Sequence, residues 1–349
     1  MNYRIKGHFP QRSREIYQKL TQENKTIPEL FLFTDAHDVK YIFEGLPVEG
    51  WVSLEASGKV IYWGSPLWVD AARKFLSSVV EIREKKELSS YIAGKVIAID
   101  ERTSVAFREE LLKATEKVIL TKHKGLKRIR MIKREDEIEK IKTACQIATE
   151  AFQRFIKKDF KEGISEKEAS RRLKIRLFEA GAEQLAFEPI VAFGENTSYP
   201  HHFPTEKTYT RGEPAMFDWG AVYRGYHSDI TRTLNAEKLP WFEIYMKALN
   251  SALGKAQTQT PACEVHKAAA EAMQELAEFF PHGTGHGVGV EIHEFPNLTE
   301  NSQDILLPGE VFTVEPGIYK PDKAGVRIEN TYLLSEKGLE KLSPLPEIL

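Results

Sequence analysis

Two aspartates beside a predicted β-hairpin are the first residues in this sequence that could bind a metal ion. Asp218 and Asp229 are 11 residues apart, in apolar, aromatic-rich runs that flank Tyr223-Arg224-Gly225. Such runs around a short turn are typical of a hairpin. If the turn brings the carboxylates together, they repel, and one takes up a proton unless a cation binds between them. Hard divalent ions prefer such oxygen ligands. A pair of exposed hairpin aspartates without any chemical role is the alternative at this point.

A glycine-rich segment further along the chain supplies histidines. Residues 282–289 read HGTGHGVG, and His293 follows. The glycine spacing differs from that of a dinucleotide-binding fingerprint, and so many glycines disfavour the helix that a His-x3-His zinc site needs. His286 lies in a backbone segment suited to close approach and could be a metal ligand. Taken singly, however, each histidine is better explained as a polar residue with hydrogen-bond partners inside the protein than as a metal ligand.

Two glutamates follow apolar runs that are typical of buried strands. Glu315 ends one such run and Glu329 ends another. A buried carboxylate without a partner is costly, so each glutamate either binds a cation or forms a buried ion pair, for instance Glu329 with Arg327 or Arg232. Four carboxylates and one neutral imidazole balance the charge of two divalent cations. The candidate ligands are Asp218, Asp229, His286, Glu315 and Glu329.

Together these residues resemble the ligand pattern of the pita-bread metallopeptidases, the family of prolidase, aminopeptidase P and methionine aminopeptidase. The matching motifs are D-x-G-x4-G-Y-x-S-D-x-T-R-T from Asp218 to Thr233, G-T-G-H-G-x-G around His286, T-V-E-P-G around Glu315 and G-V-R-I-E ending at Glu329. The resemblance covers residues 130–349 well, and the N-terminal part only by size and by the pattern at 35–45. It implies two divalent metal ions per chain, with manganese expected and cobalt, zinc or iron as alternatives.

Further positions resemble the proline-specific branch of this family. The resemblance implies substrate contacts from His201, His282, His293, Tyr319 and Arg327. It also implies catalytic roles: Glu315 as proton shuttle, His293 as a stabiliser of the oxyanion, and His201 as an orienting group for the substrate. A hydroxide that bridges the two metals would attack the carbonyl of an Xaa-Pro bond. Whether His202, His227 and Tyr319 contact substrate or only line the cleft is left open.

The resemblance implies a hydrolase that acts on Xaa-Pro bonds. The length of 349 residues resembles that of short prolidases and favours an Xaa-Pro dipeptidase. An Xaa-Pro aminopeptidase that acts on longer peptides is the alternative. Methionine aminopeptidase is disfavoured, because its usual catalytic domain needs no additional N-terminal domain. A pita-bread binding module without activity is the non-enzyme alternative. The presence of all five ligands disfavours this module, and it disfavours metal-free, creatinase-type hydrolysis as well.

Hydrophobic patterning predicts two domains. Residues 1–125 alternate apolar runs with helical patterns, as in an α/β domain, and residues 126–349 are expected to form the α+β pita-bread (creatinase/aminopeptidase) catalytic domain. The charged stretch 122–139 is interpreted as a solvated linker followed by the acidic first turn of a helix. We predict strands at 30–33, 52–54, 60–63, 96–99, 189–193 and 311–314, one strand over Val326–Leu334, and helices over Val69–Val80, from Ile138, near 166–180, near 240–257 and over 262–279.

The composition argues against several other classes of protein. Hydrophobic residues make up 42% of the chain and charged residues 29%, and the net charge of -2 gives no reason to expect nucleic acid or an anionic membrane as a partner. Two cysteines imply no disulfide framework. Residues 1–14 have no apolar leader, and no run of 18 apolar residues is present. We therefore expect a cytoplasmic enzyme with peptide substrates and, by analogy with the family, a homodimer.

Overall fold

The computed structural model describes residues 9–22, 26–76, 80–121 and 125–348. The chain divides into two compact units, Met1–Arg130 and Met131–Leu349. Lys122 and Lys124 of the charged stretch lie outside the described residues. Within the described ranges, no helix is both long enough and apolar enough to cross a membrane.

The first unit is built on one mixed six-stranded sheet. Its elements are α1 (Phe9–Gln22), β1 (Leu30–Phe33), α2 (Ala36–Ile42), β2 (Trp51–Glu55), β3 (Val60–Gly64), α3 (Pro66–Phe75), β4 (Val80–Glu84), α4 (Leu88–Tyr91), β5 (Val96–Ile99), α5 (Val105–Ala114), β6 (Lys117–Leu120) and α6 (Leu126–Met131), the last of which spans the division. The strand order is β4-β3-β2-β1-β5-β6. The central strand β1 is buried along its whole length, pairing antiparallel with β2 and parallel with β5. All four strands predicted in this region are present.

The helix predicted over Val69–Val80 is wrong at its C-terminal end. Helix α3 ends at Phe75, and Val80 begins strand β4. Val80 and Ile82 pair with Val60 and Tyr62 of β3. This pairing with a distant strand overrides the local helical spacing of the apolar residues, because β-branched residues pack well on a sheet.

The second unit combines long helices with several small antiparallel sheets. Its helices are α7 (Glu135–Lys158), α8 (Glu166–Glu179), α9 (Phe242–Lys255) and α10 (Ala262–Met273). Its strands are β7 (Gln184–Leu185), β8 (Ile190–Phe193), β9 (Ala215–Trp219), β10 (Ala221–Tyr223), β11 (Tyr226–His227), β12 (Ile230–Leu234), β13 (Gly285–Gly287), β14 (Glu294–Leu298), β15 (Val311–Val314), β16 (Gly317–Lys320), β17 (Ala324–Arg327), β18 (Asn330–Ser335) and β19 (Gly338–Lys341). The larger sheet runs β14-β13-β15-β18-β19, and β9 lies between β8 and β12.

Two hydrophobic clusters hold these layers together. In one, α7 and α8 pack against β8, β9 and β12, and the ring of Phe152 stacks on Trp219 with centroids 4.0 Å apart. Trp219 also donates through Nε1 to the main-chain oxygen of Ala148, at 2.9 Å. In the other, α9 and α10 pack against β15 to β18. The strands that carry the candidate ligands therefore have an anchored apolar face, so their opposite face can hold polar groups.

The acidic first turn predicted for α7 is present, but the solvated-linker interpretation is wrong for two basic residues. Arg130 is 2% exposed and donates to Asp38 at 2.8 Å. Lys133 is 5% exposed and donates to Glu294 at 3.2 Å. Their partners lie far away in the sequence, so the charge run by itself gives no sign that these two cations are buried.

Three other predicted elements differ from the structure at their ends or in their interior. The helix predicted from residue 240 begins at Phe242, and α10 ends at Met273, where a 3-10 turn, Gln274–Phe279, continues the chain. The strand predicted over Val326–Leu334 is two strands, β17 and β18, separated at Ile328 and Glu329. The break arises because β17 pairs with β16 whereas β18 pairs with β15.

Arg232 joins the C-terminal segment to the strand that follows Asp229. Its buried guanidinium donates to the main-chain oxygens of Thr231, Glu329, Leu345 and Pro346 and to the side chain of Asn330. The four hydrogen bonds from its Nη atoms are 2.6–2.7 Å long. Removing it leaves several buried acceptors without donors. Each such acceptor costs free energy, because water does not reach it.

We expect Arg232→Met to lower the free energy of unfolding by about 3 kcal/mol, since a buried charged donor is lost. Arg154→Met is the control, because Arg154 is an exposed partner of Glu150 on α7. Its change is expected to stay within about 0.5 kcal/mol. Urea unfolding followed by circular dichroism measures both variants. Equal stabilities would contradict the anchoring role of Arg232.

Candidate active site

The hairpin of the two aspartates forms, and it buries both of them. Asp218 lies within β9 opposite Thr231 of β12, and Asp229 immediately precedes β12. The turn residues Arg224 and Gly225 have φ values of 46° and 77°, as a tight two-residue hairpin loop requires. Asp218 is 8% exposed and Asp229 5%. The alternative of two exposed hairpin aspartates is therefore wrong.

Asp229, His286 and Glu329 form a group that could hold a metal ion. Each offers one ligand atom, and these atoms all lie within 4.8 Å of one another. Glu315 adjoins the group, with its Oε1 3.2 Å from Nε2 of His286. Asp218 lies in the same cleft. The structure thus brings together all five residues predicted as ligands from four separate parts of the sequence.

The carboxylates in this cluster repel one another. Burial, together with the neighbouring carboxylates, raises the pKa of Asp229 and of Glu329 well above the usual range. Burial also raises the pKa of Asp218, although Arg327 opposes this effect. Burial acts in the same direction on Glu315, but the hydrogen bond and charge of His286 outweigh it and hold the pKa of Glu315 at about 2. Without added positive charge, the cluster thus favours proton uptake by most of its acids.

Two carboxylate oxygens are suited to a cation. Oδ1 of Asp218 and Oε1 of Glu329 are buried and have no hydrogen-bond partner among the described residues. Their second oxygens are bonded: Asp218 Oδ2 accepts from Arg327 at 2.6 Å, and Glu329 Oε2 accepts from Thr231 at 2.6 Å. An orphan buried oxygen is costly unless something binds it. The donor set of oxygen atoms and one imidazole therefore fits divalent metal ions.

Backbone contacts fix the orientation of His286. Its Nδ1 donates to the main-chain oxygen of Gly287 at 3.1 Å, and Nε2 faces the carboxylates. The neighbouring glycines allow this strand to approach its partners closely. A Cβ atom on Gly285 would lie 2.0 Å from the main-chain oxygen of Thr313, and one on Gly287 would lie 2.0 Å from that of Phe295.

A hydrogen-bonded chain links Asp218 to His282. Arg327 donates to Asp218 and also, at 2.6 Å, to the hydroxyl of Tyr319. That hydroxyl lies 2.9 Å from Nε2 of His282, whose Nδ1 lies 2.8 Å from the main-chain oxygen of Gly283. Burial lowers the pKa of His282, so the ring is neutral and accepts from Tyr319. Tyr319 is 4% exposed and lies behind the cleft wall.

The cleft has a volume of about 790 Å³ and places the remaining predicted residues around the carboxylates. His201 and His293 line it together with Arg327 and His282. The rings of His293 and His286 are 4.3 Å apart in an edge-to-face arrangement. Burial and the neighbouring His286 lower the pKa of His293 to about 4. His293 is therefore neutral at pH 7 and has an N–H group to donate. Apolar side chains complete the wall, namely Phe187, Ile190, Phe203 and Ile292.

The alternative of a buried ion pair for Glu329 is not what the structure shows. Arg327 pairs with Asp218, and Arg232 donates to the main-chain oxygen of Glu329. The carboxylate of Glu329 accepts from Thr231.

Residues 139–336 match the model of the metallopeptidase family M24. The chain belongs to this family. An Xaa-Pro dipeptidase from Pyrococcus horikoshii is 33% identical over 316 residues, which cover 88% of this chain and 90% of that relative. An Xaa-Pro dipeptidase from Pyrococcus furiosus is 38% identical over 225 residues, or 62% of this chain, and the match spans 64% of that relative. The solved prolidase from Pyrococcus horikoshii has a TM-score of 0.87 at 29% identity, covering 98% of this chain and 99% of that one.

Family membership confirms the resemblance recognised in the four motifs and, with it, the pita-bread fold of the catalytic part. It also makes this chain a metallopeptidase, so divalent metal ions are the expected occupants of the carboxylate cluster. The roles of the individual residues stay predictions.

Our sequence interpretation of this M24 metallopeptidase missed two threonines that position the acids. Thr231 donates to Glu329, and Thr313 donates to Glu315 at 3.1 Å. A usable signal was present for both. Thr231 is two residues after Asp229, and Thr313 is two residues before Glu315. Because alternate residues of a strand point to the same face, this spacing places each threonine on the same face as the acid it supports.

We expect Gly285→Ala in this M24 metallopeptidase to displace His286, because a Cβ at residue 285 would overlap the main-chain oxygen of Thr313. The variant should lose about 1–3 kcal/mol of stability through overpacking, and it should bind Mn²⁺ more weakly. Calorimetric metal titration and urea unfolding measure the two effects.

The control is Gly254→Ala in α9, where a Cβ atom would meet nothing within 4 Å. That variant should gain about 0.5–1 kcal/mol, as expected for alanine in place of glycine in a helix, and its metal binding should be unchanged. Unaltered metal affinity in Gly285→Ala would show that close approach at this strand does not position His286.

Proposed function

We propose that this chain hydrolyses Xaa-Pro dipeptides with two divalent metal ions held by Asp218, Asp229, His286, Glu315 and Glu329. The main support is the orphan oxygens of Asp218 and Glu329, two residues that line the same cleft as the other three proposed ligands. The volume of this cleft, about 790 Å³, is large enough for a short peptide. The name Xaa-Pro dipeptidase carried by the two Pyrococcus relatives supports the choice of substrate. Bound metal ions would lower the pKa of water and polarise the peptide carbonyl.

Glu315 is the residue best suited to move a proton in this reaction. The hydrogen bond and charge of His286, together with the charge of Arg327, outweigh burial and lower the pKa of Glu315 to about 2. Glu315 is therefore ionised at neutral pH and would accept a proton from the nucleophile. The departing proline nitrogen belongs to a tertiary amide without an N–H, and it must be protonated before it leaves. Glu315 would return its proton to that nitrogen.

His293 and His201 have complementary roles in this proposal. His293 is neutral and would donate an N–H to the oxyanion as negative charge develops there. His201 lines the same cleft and would orient the substrate's carbonyl or carboxylate. Arg327 is engaged by Asp218 and Tyr319, so it would act mainly by holding Asp218 in place. His282 lines the cleft and would contact the substrate directly, whereas Tyr319 would act indirectly, through its hydrogen bond to His282.

The ligand chemistry favours manganese, because four of the five ligands are carboxylates and hard ions prefer oxygen. Cobalt, zinc and iron remain alternatives, since the imidazole suits them too. The homodimer and the cytoplasmic location stay predictions from the sequence.

We expect calorimetric titration to give two Mn²⁺ ions per chain. Asp229→Asn removes a charged ligand and should lower the stoichiometry or weaken the affinity at least about tenfold, since loss of an anionic ligand disfavours cation binding. Asp322→Asn is the control, because Asp322 is exposed on the β16–β17 turn. An Asp229→Asn variant that still binds two ions tightly would exclude Asp229 as a ligand.

Substrate preference is measured with Ala-Pro and Ala-Pro-Ala in the presence of Mn²⁺, with a chelator in the control reaction. The proposal expects metal-dependent cleavage of the dipeptide, and His293→Ala should lower kcat about 10²–10³-fold if it stabilises the oxyanion. Preference for the tripeptide would instead favour the aminopeptidase alternative. Cleavage of neither peptide by protein loaded with metal would reject proline specificity.

A further inference from the structure

The segment 193–205 carries His201 into the cleft without any regular strand to support it. It leaves β8 at Phe193, forms the 3-10 turn Gly194–Ser198, and then runs through Pro200 to Pro204 along the cleft wall. His201 is exposed on this wall. Because loops of this kind are mobile unless they are tied down, the position of His201 depends on what holds the two ends of the segment.

The carboxylate of Glu166 holds both ends. Its Oε1 accepts from the main-chain nitrogen of Phe193 and from the side chain of Asn196, both at 2.8 Å. Its Oε2 accepts from the main-chain nitrogen of Thr205 at 2.8 Å and from the Thr205 hydroxyl at 2.6 Å. The same oxygen lies 2.8 Å from Nε2 of His202. One side chain thus accepts five hydrogen bonds from the start and the end of the segment.

Glu166 stays ionised although its side chain is fully buried. Burial would raise the pKa of this carboxyl, but the hydrogen bonds from Thr205, Asn196 and His202 outweigh it and lower the pKa. An ionised carboxylate only accepts hydrogen bonds, so Nε2 of His202 carries the proton. This interaction uses the Nε2 atom of His202, whose ring also stacks on Tyr199. His202 therefore belongs to the support of the segment, and His201 is the neighbour that faces the cleft.

The place of Glu166 in the fold explains why one residue can do this. It is the first residue of α8, directly after the N-cap Ser165, whose hydroxyl accepts from the main-chain nitrogen of Glu168. The sequence Ser165-Glu166-Lys167-Glu168 matches the capping-box pattern, which by itself gives no sign of a further role for Glu166. The helix N-terminus favours a negative charge at this position, and α8 itself packs on α7. The carboxylate is therefore presented from a rigid element.

We propose that Glu166 is a positioning residue for the reaction: it fixes the segment 193–205 so that His201 reaches the substrate. This inference rests on the proposed Xaa-Pro hydrolysis. Glu166 touches neither the substrate nor the carboxylate cluster in this role, and it acts through His201. If Glu166 served only the stability of the fold, its replacement would not affect kcat/KM through His201.

The test compares Glu166→Gln with Glu168→Gln. Glu166→Gln keeps the shape of the side chain but removes its negative charge. It also replaces one carboxylate oxygen with an NH₂ group, which cannot accept the hydrogen bonds made to that oxygen. Glu168→Gln removes an exposed carboxylate of the same helix that binds Arg171 and Arg172. We expect Glu166→Gln to lower kcat/KM for Ala-Pro about 10- to 100-fold through misplacement of an orienting group. Its Mn²⁺ stoichiometry should stay at the wild-type value, and Glu168→Gln should behave as the wild type.

A double-mutant cycle with His201→Ala separates positioning from general stability. If Glu166 acts through His201, then Glu166→Gln should have little further effect on kcat/KM in the His201→Ala background. Additive losses would overturn the proposal, and so would an unchanged kcat/KM in Glu166→Gln. Thr205→Val, which removes one hydroxyl donor and keeps the main-chain nitrogen, is the milder variant if Glu166→Gln does not fold. It should show a smaller loss that is equally non-additive with His201→Ala.

Amide hydrogen exchange gives a measurement that does not depend on activity. Exchange of the Phe193 and Thr205 amides should accelerate at least about tenfold in Glu166→Gln, because both donate to the carboxylate. Amides of α9 should be unchanged. If the wild type cleaves no Xaa-Pro peptide, the proposed function fails, and the exchange data still decide whether Glu166 holds the segment. Unchanged exchange at both amides would overturn the positioning role in either case.

Discussion

Electrostatic repulsion between four buried carboxylates is the constraint on which the rest of the catalytic unit depends. Asp218, Asp229, Glu315 and Glu329 line one cleft. Burial and the neighbouring carboxylates raise the pKa values of all except Glu315, for which His286 outweighs burial. A fold keeps such a group only if other contributions offset its cost. The apolar clusters beneath α7, α8, α9 and α10 supply that stability, and divalent cations would relieve the repulsion at the cluster itself.

The supporting residues satisfy one oxygen of an acid and leave another available. Arg327 binds one oxygen of Asp218, and Thr231 binds one oxygen of Glu329. The second oxygens have no partner within the described part of the chain. The bonded oxygen keeps each carboxylate in one orientation, and the lone pairs of the unbonded oxygen stay available for a cation. These hydrogen bonds thus preorganise two of the carboxylates that we propose as metal ligands.

Groups that would act on the substrate are held in a different way. His293 follows the glycine-rich strand β13. The next residue, Glu294, forms an ion pair with the buried Lys133. His201 lies in an irregular segment that is tied at both ends to Glu166. In both cases a buried glutamate fixes the loop beside a histidine. The loops remain short and exposed enough to meet a substrate, while a rigid helix or a buried ion pair determines where they lie.

The sequence by itself determined the family, the catalytic fold and the five candidate ligands, because those residues occur in local motifs such as the segment around His286 and the T-V-E-P-G around Glu315. It also indicated most strands, such as β1 and β15, through short apolar runs. Only the tertiary structure revealed the burial of Arg130 and Lys133, the break at Glu329 and the five contacts of Glu166. Local patterns report a residue's type and spacing. They do not report a partner that is distant in the sequence, and the hydrogen bonds and ion pairs of these residues are formed with such partners.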